Sequence, residues 1–165
     1  MTLPDEARGL RMLAETGAAI VVGVERELPG WVVREVTRIL DAWGRLEPDA
    51  RAEAERAAAA VAPVVTDRIV AELRSLFARD PAEQTATPLQ IVRGAHREPT
   101  AVLRAAGVPP VERDEFEERA WPDDRYGLVI HTFGDLGDPD LAPLHLAWGM
   151  AKAGVLRSRA TTGPA

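Results

Sequence analysis

The sequence predicts an all-α fold, a single-domain helical bundle with two long helices in its N-terminal half and several short C-terminal helices. Three observations carry this expectation. Pro4, Pro48, Pro81, Pro88, Pro99 and Pro139 each precede a run rich in Ala, Leu, Arg and Glu. Proline suits a first helical turn, where its missing N–H forfeits no intrahelical bond and its φ is already helical. Apolar residues recur at spacings of three and four over long stretches, the period of one helix face. The 165 residues include no cysteine, so neither disulfides nor thiolate metal sites stand in for a packed core. A chain of this length buries about two-thirds of its unfolded surface without such staples.

The first element is read from Leu3, Ala7, Leu10, Ala14, Gly17, Val21, Val24 and Leu28, a heptad-like seam along one face. Gly9, Gly17 and Gly23 each weaken a helix by up to about 1 kcal/mol, but let another helix approach closely. Ile20, Val21 and Val22 also suit a strand at 18–24; the longer helical period decides against it. The seam is expected to support self-association into a homo-oligomer. Leu28-Pro29-Gly30 is expected to break the helix. A second stripe follows in Val32, Val36, Ile39, Trp43 and Leu46, with Trp31 and Trp43 as core or interface anchors and Gly44 and Pro48 as its end. From Pro48 to about Arg79 a long helix carries Val65, Ile69, Leu73 and Leu76, and Pro63 is expected to kink or split it.

Asp80-Pro81-Ala82-Glu83 and Thr87-Pro88-Leu89-Gln90 have the form of capped helix starts. Short helices are expected at 88–97 and 99–106, closed by Gly107 and Pro109-Pro110. An acidic helix over 111–120 carries Val111 and Phe116. Residues 121–138 read as an ordered loop with Gly127, Gly134 and Gly137 at turns and a brief extended piece at Leu128-Val129-Ile130. Asp138-Pro139 opens the last helix, with Leu141, Leu144, Trp148, Ala151 and Val155 on one side. The domain is expected to span 1–159, with 160–165 a disordered tail.

Charge narrows the function. The net charge is −6, and the stretch from Glu112 to Asp140 holds ten carboxylates against three arginines. The remainder of the chain is nearly neutral. A nucleic-acid binder would show the opposite sign. The apolar run Gly17–Val24 is far short of the roughly 20 residues of a membrane span, and Asp5, Glu6 and Glu15 do not suit an export signal. A cytoplasmic location away from membranes is expected. No P-loop, dinucleotide fingerprint or G-x-S-x-G elbow occurs. Ser75 and Ser158 are the only serines. No catalytic residue and no cofactor is assigned.

Between 112 and 126 the aromatics Phe116, Trp121 and Tyr126 are interleaved with acids. Anchoring aromatics inside a charged rim are the composition of a docking surface. The leading expectation is therefore a non-enzymatic interaction or regulatory protein that docks a basic protein partner through Glu115, Glu118, Trp121, Asp123, Asp124 and Tyr126. In the competing reading Phe116 and Trp121 are core and the acids merely solvate them. An alternative function is small-molecule or metal binding by His131, Asp135 and His145, since imidazole and carboxylate suit Zn, Fe or Mn. His131 and Asp135 would share a face if helical, but Gly134 and Pro139 oppose a continuous helix there. The competing assignment makes Asp135 the stabiliser of a glycine turn, Asp138 a helix cap, and His145 a half-buried structural residue.

Thr87 to Ala153, with its Glu118-Arg119-Ala120-Trp121-Pro122-Asp123-Asp124 and Asp135-Leu136-Gly137-Asp138 segments, resembles a family of small actinobacterial proteins with no assigned function. The resemblance implies a bacterial, cytoplasmic setting and brings no catalytic residues with it.

Overall fold

A computed structural model describes residues 4–120 and 125–162, without the side chains of Glu117, Glu118 and Ala120. Its helices are α1 (Pro4–Trp43), α2 (Pro48–Ala78), α3 (Pro88–Arg93), α4 (Arg97–Ala105), α5 (Glu115–Ala120) and α6 (Leu141–Thr161). Short 3-10 turns occupy Pro81–Glu83, Gly94–His96 and Phe133–Leu136. The described residues contain no strand, so the all-α expectation holds.

Proline opens elements as expected. Pro48, Pro81 and Pro88 each occupy the first position of a helix or 3-10 turn. Asp80 accepts from the amide of Ala82, and Thr87 with Gln90 forms a reciprocal capping box. Pro99 lies inside the first turn of α4. Pro139 lies in the turn ahead of α6, where Asp138 Oδ1 accepts from the amide of Asp140 at 2.9 Å.

Two prolines do not act as breakers. α1 runs unbroken through Pro29, and α2 through Pro63. An interior proline costs a helix about 3 kcal/mol. Around Pro29, however, Leu28, Trp31, Val32 and Val36 are all buried and continue the face set by Ile20, Val21 and Val24. Each such side chain contributes about 1.5–3 kcal/mol by leaving water. The two stripes are therefore one face of one helix. Pro63 lies on the exposed side of α2, where water can bond the carbonyl that the proline leaves without a donor.

α1 is the central rod. α2 packs on one side of it and α6 on another, while α3 and α4 cover α2. Small residues set the distances. Ala54, Ala58 and Ala62 are buried on α2. A Cβ added at Gly17 would lie 3.0 Å from the Phe77 ring, and one at Gly9 would lie 2.6 Å from Val155. Four residues of the N-terminal seam, Gly17, Val21, Val24 and Leu28, are buried within the chain, where α2 and α6 pack on α1, whereas Ala14 is exposed and Ala7 and Leu10 are half-buried.

Residues 125–138 close the core without a strand. Tyr126, Leu128 and Ile130 alternate inward and are buried. Their neighbouring carbonyls are met by side chains instead of a sheet partner. Arg93 of α3 donates to Ile130 and His131, both at 3.0 Å, and Arg38 of α1 donates to Gly127 at 3.4 Å. Buried or half-buried backbone oxygens need such donors. Guanidinium groups supply them from two helices.

Candidate interaction surface

The acidic-aromatic segment divides into an anchor and a presented edge. Tyr126 is the anchor. It is 2% exposed, and its hydroxyl donates to the Val108 carbonyl at 3.1 Å. Beside it the amide of Val111 donates to the Arg125 carbonyl at 2.8 Å. These two bonds pin both ends of the excursion that carries α5. Tyr126 is therefore a core residue and not a surface contact: its ring is large enough to fill the core, and its hydroxyl finds a partner there.

Phe116 is the presented residue, 78% exposed on α5. Val111 is 51% exposed nearby in the sequence. Glu112, Asp114 and Glu115 are exposed between and beside them. Glu115 pairs with Arg119 only at 3.9 Å, both side chains being almost fully in water, so the pair adds little stability. Trp121, Asp123 and Asp124 lie outside the described residues, as does the side chain of Glu118.

The alternative trio is not assembled. His131 is exposed, and Asp135 Oδ2 accepts from the amides of His131 and Thr132, each at 2.8 Å. That carboxylate caps the Phe133–Leu136 turn, which ends at Gly137 with φ +89°. Among the described residues no group of three or more His, Asp or Glu side chains is placed to hold a metal ion. Asp138 is buried and engaged by Arg26 and by the amide of Asp140. Helix starts and turns use up the carboxylates that a metal would need.

His145 lies in a different setting, on α6. Its ring stacks on Trp148 with centroids 6.3 Å apart and tilts against Phe133 at 5.0 Å. Burial alone pushes its imidazole below the ordinary histidine range. Its Nδ1, Trp148 Nε1 and Gln84 Oε1 are buried without a hydrogen-bond partner among the described residues. Lys152 bonds the Gln84 carbonyl at 2.6 Å and stands 5.4 Å from the Trp148 ring centroid. Sequence reading placed His145 as half-buried but could not find Gln84, which reaches α6 from a distant turn.

A cleft of about 440 Å³ between α2 and α4 is lined by six alanines, Val102 and one acid, Glu53. It has no second polar group to orient a small molecule. Among the described residues no helix is long and apolar enough to cross a membrane. Comparison with protein-family models, curated proteins and solved structures finds no match for this chain.

Proposed function

We propose that this protein is a non-enzymatic interaction protein that docks a basic partner on the acidic-aromatic edge around residues 111–119. The observation that carries the reading is Phe116, a large apolar ring held 78% in solvent on a helix of acids. A ring so exposed is a ready anchor, and surrounding carboxylates steer and align a cationic surface. The bonds from Tyr126 to Val108 and from Val111 to Arg125 favour the same reading. They tie together the two ends of the excursion that carries α5, which lowers the ordering cost of binding. The net −7 of residues 112–140, counted from ten acids and three arginines, sets the sign of the partner.

Cross-linking in the native cell followed by mass spectrometry tests this. The wild-type chain should capture a defined protein whose contact surface is basic. Phe116→Ala with Glu112→Gln and Glu115→Gln should lose it at unchanged helicity, and added salt should weaken the wild-type complex. An unchanged cross-link in the triple variant, or a partner of acidic surface, would overturn the proposal.

A further inference from the structure

The Phe133–Leu136 turn is fastened to α6 through a row of rings. Phe133 and Leu136 are buried, and Phe133 lies against His145, which stacks in turn on Trp148. Trp148 meets Phe77 of α2 edge-on at 6.2 Å. His145 is the one member of this row that can take up a proton, and its surroundings do not favour one. Its Nδ1 is buried without a partner among the described residues. A proton there would make a charged donor with no acceptor, which costs more than a neutral one. Gly9 meets Val155 and Gly23 meets Leu141, and this antiparallel register sets His145 level with Ala19 of α1. α1 has no charged residue there between Glu15, which is exposed, and Glu25, which pairs with Arg74 of α2. On the turn, Asp135 is engaged by the amides of His131 and Thr132. Ahead of α6, Asp138 is engaged by Arg26, and Asp140 is exposed. At the Pro81–Glu83 turn, Asp80 pairs with Arg159, and Glu83 is exposed. On α6 itself Lys152 stands 5.4 Å from the Trp148 ring centroid, so a cation already faces the indole that would otherwise attract an imidazolium.

We infer that the neutral His145 ring is an acid-sensitive latch: taking up a proton releases the Phe133–Leu136 turn and the segment leading into it, while α1, α2 and the C-terminal half of α6 stay packed. The turn is the part able to yield. Residues 125–138 contain no strand, and the carbonyls of Gly127, Ile130 and His131 are held by the side chains of Arg38 and Arg93. A segment held by few bonds opens at a lower cost than the whole fold. The later half of α6 is held independently. Lys152 donates to the Gln84 carbonyl at 2.6 Å, and Arg159 donates to Glu6 at 2.8 Å and to Asp80 at 2.7 Å. Once the turn lifts, the imidazolium reaches water on the side that Phe133 covered. Burial is what opposes its charge in the closed form, and water removes that opposition.

Amide hydrogen exchange of the intact chain, corrected for the intrinsic rate at each pH, tests the inference. Protection of residues 128–136 should be constant above about pH 6.5, the value of a solvated histidine. Below it, protection should fall about tenfold per pH unit, while the buried stretches of α1 and α2 keep theirs. The fall should level off at the pH where the His145 ring itself titrates by NMR, a comparison made entirely in the wild type. His145→Phe keeps an aromatic ring between Phe133 and Trp148 and should abolish the response. His96→Gln and His131→Gln remove the other two histidines and should each retain it. Protection of the turn that does not change with pH, or a loss shared equally by α1 and α2, would overturn the inference. So would a response that persists in His145→Phe, or one that vanishes in His96→Gln or His131→Gln.

Discussion

A side-chain carbon added at Gly23 would clash with Cδ2 of Leu141, a residue with no solvent exposure. α1 and α6 meet there at a separation that only a hydrogen permits. Gly23→Ala should therefore destabilise the fold. Overpacking costs about 1–3 kcal/mol and outweighs the roughly 1 kcal/mol that alanine gains in helix propensity. Gly30 lies in the same helix with nothing within 4 Å of its missing Cβ. Gly30→Ala should stabilise by about 0.5–1 kcal/mol. Urea unfolding of the two variants should give opposite signs.

Tyr126→Phe removes one oxygen and leaves the Val108 carbonyl without its donor. The expected loss is about 1 kcal/mol in thermal or urea unfolding. Hydrogen exchange should localise it, with faster exchange at the Val111 amide, whose bond to Arg125 closes the same excursion.

Asp135→Ala strips the acceptor from the amides of His131 and Thr132. Lost caps of this kind cost about 1–2 kcal/mol. Divalent zinc or manganese should leave the melting temperature of the wild type where it was, because the carboxylate serves the backbone.

His145 sets a pH dependence. Its imidazole titrates lower in the fold than in the unfolded chain, so the unfolded state binds the extra proton. Stability should be full above the unfolded value of about 6.5. It should fall as pH drops through that value and level off below the folded-state one. His145→Phe, which keeps an aromatic ring beside Trp148 and Phe133, should lose that part of the slope in urea titrations from pH 8 to pH 5.

The bundle was legible because period and punctuation agree over long distances. Proline at helix starts, the capping pair Thr87 and Gln90, and the face from Val21 to Ile39 are all local patterns. Pro29 misled because its local cost is offset by burial of Leu28, Trp31 and Val32, and burial depends on α2 and α6. The surface was only half legible for a similar reason. Phe116 and Tyr126 are aromatics in the same acidic neighbourhood, ten residues apart. One is in water and the other in the core because Tyr126 alternates with Leu128 and Ile130 while Phe116 rides on a separate turn. Gln84 meets Lys152 beside Trp148 from more than 60 positions away, and no periodicity could unite them.

The uninterrupted α1 also governs how the molecule moves in solution. Forty residues of helix extend about 60 Å, whereas a compact chain of this length has a radius of gyration of roughly 15 Å. Tumbling should be anisotropic, and friction should exceed that of a sphere of equal mass. On a sizing column even a solitary chain should elute ahead of globular standards of its weight.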